Sequence, residues 1–389
     1  MIGFKGRANR RRVVQLLSEL VAINSVNPAV EGGGPGEVEL ARHLAGHLQR
    51  LGFETSMDEV MPGRPNLLAH LRTGNPGRRL LFECHMDTVT VANMPDGLTP
   101  RLEGSRLRGR GACDVKGSAA AFLHALELLA PHRDRLPADL LFLGAMDEEI
   151  GFTGSRAFVE GGGRADAAVV FEPTGLQPVV AHKGGLRARL VTRGRSAHSS
   201  RPELGDNAIY QMVDLIQALR ERVEAQLAER RHPLCGPATL SVSCISGGVQ
   251  INVVPSECSI DVDMRTLPEE EPARAADRLR AFVAGLRQDR PWIRAEVAAI
   301  LKEYRGLDTP VDAPIVQAAL EACRHILGRA APAGAAYGTD ASELVAGGIP
   351  CVVLGPGDIS QAHTSDEWVD VEEVAAAAEV YAELAMQYR

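Results

Sequence analysis

The sequence predicts an α/β fold into which a second, differently patterned domain is inserted, and three observations carry that expectation. Apolar runs of strand length alternate with amphipathic stretches through residues 1–181. Between residues 182 and 300 the order becomes strand, helix, two strands, helix, strand, the split β-α-β-β-α-β or ferredoxin-like arrangement. From residue 301 to residue 389 the first style returns, so 1–181 and 301–389 form one domain and 182–300 the other.

The elements follow in order. A helix begins near Arg12, because Leu16, Leu17, Leu20 and Val21 recur at helical spacing. Gln15, Ser18 and Glu19 interrupt its apolar side and no small-x-small cleavage site follows, which argues against a secretory leader. The stretch "EVELARHLAGHLQRLG" makes a second helix with Leu40, Leu44 and Leu48 as its apolar stripe. His43 and His47 sit at i and i+4 with Glu39 and Arg50 on the other side and are expected on a solvated face. His124, His132, His232 and His325 have no partner visible in the sequence and are read as structural.

The strand "RRLLFECH" then closes on His85, the helix "GSAAAFLHALELLA" follows, the strand "DLLFLGAM" runs into "DEEIG", and "ADAAVVF" ends at Glu172. The inserted part holds the strand "GLRARLVTRG", a helix over "DNAIYQMVDLIQALRERVEAQLAER", the strands "ATLSVSCIS" and "ECSIDVDMR", the helix "PARAADRLRAFVAGLR" and the strand "WIRAEVAAI". The last part supplies the helix "PIVQAALEACRHILG", the strand "IPCVVLGPG" and an Ala-rich closing helix.

Composition narrows the function classes. With 389 residues, 45% of them hydrophobic, the chain can bury two cores. A formal charge of -8 and a pI near 5.8, with no basic stripe, argue against nucleic acid as a partner. No uncharged run approaches the roughly 18 residues of a membrane span. Seven cysteines without CxxC spacing suggest reduced thiols and a cytoplasmic location. Cys84 and Cys113 lie beside candidate ligands, but strand alternation turns their side chains the other way.

What remains is a set of polar residues at strand ends: His85, Asp87, Asp114, Glu148, Glu149, Glu172 and His363. In open α/β sheets, sites form at the carboxyl ends of strands, so these residues are expected to converge. Singly, each is an ordinary turn or capping residue. Together, two imidazoles and several carboxylates suit zinc, and their number suggests two ions sharing a carboxylate.

The ordered motifs "HMDTV", "GRGACDVKG", "DEEIG", "EPTGLQPVVAHKG", "GRSAHSS", "NVVPSE", "DMRTLP" and "LGPGDISQAHTSDE" resemble the acetylornithine deacetylase and succinyl-diaminopimelate desuccinylase family of dinuclear zinc hydrolases, which includes carboxypeptidase G and aminoacylase. The resemblance spans nearly the whole chain and is stronger to the acetylornithine branch. It implies a zinc-hydrolase catalytic domain, a mixed sheet flanked by helices, with the insert as dimerisation or lid domain. It further implies two zinc ions per subunit, cobalt or manganese being able to replace them. By the same resemblance Asp114 bridges the ions, His85 and Glu172 complete one site, and Glu149 and His363 complete the other. Asp87 would orient the His85 imidazole, and a cis peptide bond is implied between Asp114 and Val115.

The implied reaction is deacylation of an N-acyl amino acid by a hydroxide held between the ions, with Glu148 as general base. His198 would donate to the developing oxyanion from a neighbouring subunit of a homodimer, while Asn252, Arg265, Lys183 and Thr339 would hold the substrate. The stretch "YGTDASEL" departs from the acetylornithine enzymes more than the zinc motifs do. Desuccinylase, carboxypeptidase and dipeptidase are the alternatives within the class, and a catalytically silent binding protein is the alternative outside it. Arginine biosynthesis is the implied setting.

Overall fold

Alternation along the strand Arg79–His85 decides how the first part of the chain is layered. Leu80, Phe82 and Cys84 enter a helix-covered core, so Leu81, Glu83 and His85 must face the other way. The structure is a computed structural model describing residues 3–30, 32–75 and 77–389. Packing divides the chain into two units. Met1–Val180, Thr309–Ala333 and Thr339–Arg389 form the first, and Ala181–Asp308 with Gly334–Gly338 form the second. The second unit runs past residue 300 because the strand Ala295–Tyr304 carries its sheet onward and Leu307–Asp308 pairs with Ala181 and His182.

The sheet of the first unit is mixed. Its order is Glu54–Met61, Arg64–Leu71, Asp139–Ala145, Arg79–His85, Ala167–Val170, Cys351–Val353 and Val179–His182. The pairs among Asp139–Ala145, Arg79–His85, Ala167–Val170 and Cys351–Val353 are parallel, and the flanking pairs are antiparallel. The first strand of the hairpin Glu54–Leu71, Glu54–Met61, carries no strand signal in the sequence, because it is mostly exposed on both faces and shows no apolar alternation.

The helices Gly117–Leu129 and Val371–Gln387 cover the core face. Between them and the sheet lie Phe82, Phe122, Phe171 and Tyr381, with ring centroids 4.7 Å apart for Phe82 and Phe122 and 4.8 Å apart for Phe171 and Tyr381. The Tyr381 hydroxyl donates to the Leu354 carbonyl at 3.0 Å, so its one polar atom is satisfied inside the core. The closing helix starts where Asp370 accepts from Glu372 N, and Glu372 and Glu373 in its first turn complement the dipole. Cys84 and Cys113 are buried in this core, and burial raises both thiols well above the ordinary range.

The helix Val38–Arg50 departs from expectation. His47 is 9% exposed and His43 is half-buried, because both face Glu19 of the helix Arg10–Val21 rather than open solvent. The apolar stripe is Leu40, Leu44 and Leu48 as read, but a neighbouring helix covers the flank that the sequence leaves open.

The second unit pairs its strands antiparallel in the order Thr239–Gly247, Glu257–Thr266, Gly184–Arg193, Ala295–Tyr304. Leu186, Ala188, Leu190, Ile260, Val262 and Met264 pack on one face against the helices Ala208–Ala218 and Pro272–Asp289. The opposite face carries cross-strand pairs, Arg187 with Asp263 and Arg189 with Asp261. Among the described residues no helix is long and apolar enough to cross a membrane.

The aromatic layer yields a stability prediction. Replacing Phe82 with Ala removes the ring that touches Phe122, Phe171 and Tyr381, and should cost about 3–5 kcal/mol in urea unfolding followed by circular dichroism. A loss below about 1 kcal/mol would mean that the layer closes without it.

Candidate metal centre

Parallel strands deliver their carboxyl ends to one edge, and the register sets how close those ends come. His85 lies opposite Ala145, so the turn Asp147–Glu149 begins just beyond it. Glu83 pairs with Val170, two residues before Glu172, and Val170 also lies opposite Val353, after which the chain runs on to His363. Asp114 arrives from the segment Ala112–Lys116, next to a cis peptide bond between Asp114 and Val115. Asp147 at φ 69 and His363 at φ 63 adopt left-handed backbone that non-glycine residues rarely take, which is how two sharp turns fit at one edge.

The side chains converge on Asp114. Its Oδ1 stands 3.0 Å from His85 Nε2 and its Oδ2 stands 3.4 Å from His363 Nε2. His363 Nε2 is also 2.9 Å from Glu149 Oε2. Two groups of ligand atoms result, His85 with Glu148 and Glu172, and Asp114 with Glu149 and His363, each within 4.8 Å of one another. Around a tetrahedral ion with bonds of about 2.0–2.1 Å, neighbouring ligand atoms lie about 3.3 Å apart. The separations about Asp114 are of that order.

Asp87 takes a wider part than orienting one imidazole. His85 Nδ1 lies 3.1 Å from the Asp87 carbonyl oxygen and 3.7 Å from its carboxylate, so the hydrogen bond runs to the backbone. The carboxylate instead accepts from the Glu148 and Glu149 amides at 3.0 and 3.2 Å and from Asn27 Nδ2 at 2.7 Å.

Residues given no role in the sequence reading hold the rest. Glu367, fully buried against Arg110, accepts from the amides of Gly111, Cys113 and Asp114 at 3.0, 2.9 and 3.1 Å. Arg64 binds Glu37 and Asp147, and Glu37 accepts from the Asp147 amide. Asn27 reaches Asp147 as well as Asp87. Asp340 and Glu83, both 1% exposed, face each other behind His85, and burial raises Asp340 to about 7 and Glu83 well above the usual carboxylate range. Glu367 and Arg110 lie inside the quoted motifs "LGPGDISQAHTSDE" and "GRGACDVKG" and Asp340 inside the divergent "YGTDASEL", but none is singled out there; Asn27, Glu37 and Arg64 lie in no quoted motif.

Crowded acids out of water resist ionisation. Burial, and then neighbouring carboxylates, raise Glu148, Glu149 and Glu172. Burial would depress His85, but its contacts with Asp114 and Asp87 more than offset that and raise it. Hydrogen bonds with Asp114 and Glu149 raise His363 to about 10. Crowded carboxylates around two imidazoles whose protons they hold are what a divalent cation can replace and neutralise, so the donor set fits metal.

The other expected site residues divide between the units. Thr339 belongs to the first, fully buried, its Oγ1 accepting from Ala341 N at 3.2 Å. Lys183, His198, Asn252 and Arg265 belong to the second. Arg265 binds Asp263 at 2.8 Å and the Tyr304 hydroxyl at 2.6 Å. Lys183 is buried, and its pKa is lowered by burial and by the charge of Arg265. His198 and Asn252 are exposed, with His198 Nδ1 2.8 Å from Ser200 Oγ.

Residues 81–387 match the Peptidase family M20/M25/M40. An acetylornithine deacetylase of Myxococcus xanthus is 34% identical over 367 residues, 92% of each chain, and one of Proteus mirabilis is 32% identical over 380 residues, 95% of each. Among solved structures, the aminopeptidase PepT of Bacillus cereus is similar with a TM-score of 0.78 at 25% identity, over 98% of this chain and 100% of that one. The matched span contains His85, Asp114, Glu148, Glu149, Glu172 and His363, and the chain belongs to the Peptidase family M20/M25/M40, hydrolases of amide or peptide bonds.

Proposed function

We propose that the protein removes the acyl group from an N-acyl amino acid, N-acetylornithine being the first compound to try, with two zinc ions at the strand ends. The observation that carries the metal reading is Asp114, which presents one carboxylate oxygen to His85 and the other to His363, the geometry of a bridge. His85 and Glu172 would hold one ion, Glu149 and His363 the other, and cobalt or manganese would suit the same donors. Such ions polarise the scissile carbonyl and lower the pKa of water from 15.7 to about 7.

The remaining steps belong to the chain. Glu148, with its carboxyl raised by burial, takes the proton of the attacking water and passes it to the leaving amine. Asp87 keeps Glu148 and Glu149 in place through their amides. Lys183 and Arg265, close enough for one charge to lower the other's pKa, suit the substrate carboxylate, and Asn252 and Thr339 would complete its binding. The names of the Myxococcus and Proteus relatives support deacetylation, and the likeness to PepT supports peptide cleavage as the second reading.

A cytoplasmic homodimer joined through the second unit fits its surface. The edge strand Thr239–Gly247 ends beside Val249 and Ile251, which are 85% and 101% exposed and line a groove with Tyr210. His198, on the same unit, would then reach the partner's site and donate to the oxyanion.

Three outcomes are expected. In a panel of N-acyl amino acids and dipeptides, the zinc-loaded protein should turn over N-acetylornithine. Glu148→Gln should keep both ions by elemental analysis and lose a hundredfold to ten-thousandfold in rate, roughly the range for a general base, whereas Glu149→Ala should lose an ion. Equal metal loss in both variants would sink the division between them.

The pH expectation follows from the raised groups. His363, raised to about 10, carries a proton near pH 7 when no cation is present, and the raised Glu148, Glu149 and Glu172 hold protons to higher pH than ordinary carboxyls, so metal must displace protons. Zinc uptake by metal-depleted protein should release protons into weakly buffered indicator solution, and affinity should fall as pH falls. Proton-neutral uptake would contradict this.

For His198, neither His198→Ala nor Glu148→Ala alone should be active, but purified hybrid dimers of the two should regain activity at the site pairing an intact Glu148 with the partner's intact His198. A hybrid as inactive as its parents, with normal metal content, would remove His198 from that role.

A further inference from the structure

A second histidine and carboxylate cluster lies between the helices Arg10–Val21 and Val38–Arg50 and shares no residue with the strand-end site. His43 and His47, four residues apart, stand on one side of their helix with ring centroids 4.8 Å apart. That spacing puts two imidazoles on one face, where both can reach a single ion. Glu19 Oε2 lies 3.6 Å from His43 Nε2 and 3.5 Å from His47 Nε2.

Those distances are long for hydrogen bonds and close to the about 3.3 Å between neighbouring ligands of a tetrahedral ion. His43 Nε2 is shielded from solvent and has no hydrogen-bond partner, an orphan aimed at the space between the three side chains. The carboxylate is turned toward the same space, because Gln15 Nε2 donates to Glu19 Oε1 at 2.9 Å and leaves Oε2 to the histidines. The three donor atoms lie within 4.8 Å of one another, and His47 is 9% exposed.

The geometry points to a third metal site, in which Glu19 Oε2, His43 Nε2 and His47 Nε2 bind a zinc-like divalent ion that clamps the first two helices together. Solvent water completes the coordination on the side where Glu19 and His43 remain partly exposed. The rival is a plain ion pair of Glu19 with one protonated histidine. It leaves the second imidazole idle and predicts no metal.

Equilibrium dialysis of the full-length wild type against micromolar Zn2+ should find one more ion per chain than in His43→Gln/His47→Gln. Glu19→Gln, which keeps the side-chain shape and removes one charged donor, should bind the same ion at least tenfold more weakly and guards against a double variant that fails to fold. Glu149→Ala, combined with the double variant, should lose its own ion in addition, so the two sites are counted apart. Circular dichroism verifies that each protein is folded. Equal zinc content and affinity in the wild type and in folded Glu19→Gln would overturn the site, as would equal content in the wild type and the folded double variant.

Discussion

Asp114 and Glu172, buried, and Glu148 and Glu149, half-buried beside them, crowd four carboxylates together largely out of water, and much of the first unit answers to that constraint. Anions brought together in a low dielectric repel strongly, and each has lost its hydration. The raised Glu148, Glu149 and Glu172 carboxyls and the raised His85 and His363 show the same imbalance from both sides, while Asp114, despite its burial, is held lowered by hydrogen bonds from the two histidines. A cation reverses the sign of the problem, since the ligands that repel one another are each attracted to it.

Holding such a set ready requires backbone that cannot relax away. Glu367 ties down the Asp114 segment through the amides of Gly111, Cys113 and Asp114, while its charge is matched by fully buried Arg110. On the other side of the site Asp87, Asn27, Asp147, Arg64 and Glu37 form a connected network in which nearly every buried oxygen accepts. Removing one member would leave another charge unpaired, so these residues act through the carboxylates and histidines they position.

How much of this was legible depended on whether a residue's partners were local. The strand ends at His85, Glu172 and "DEEIG" could be read because alternation and a polar stop at the end of an apolar run are sequence-local signals. The split β-α-β-β-α-β pattern could be read for the same reason, and the motifs then fixed which strand-end residues belonged together. The tasks of Glu367, Asn27 and Glu37 could not, although Glu367 closes a quoted motif, because their partners lie as far away as 256 residues for Glu367 and Gly111. The exposed strand Glu54–Met61 lacked any pattern, and the flank of His47 was misread because a helix's covered side depends on its neighbours as well as on its own stripe.

Glu148 and Glu149 show how adjacent residues come to face different groups. In a regular strand, consecutive side chains point to opposite faces, and only one of the pair would reach the site. Here the left-handed Asp147 ends the strand's geometry, and Asp87 accepts both following amides on one carboxylate. The chain therefore curls around Asp87, and both side chains face inward, Glu148 toward His85 and Glu172 and Glu149 toward Asp114 and His363. Two adjacent carboxylates facing different groups, each fixed by its own backbone, are a consequence of that curl, and the division of labour proposed for the acidic turn would need no spacing between the two residues.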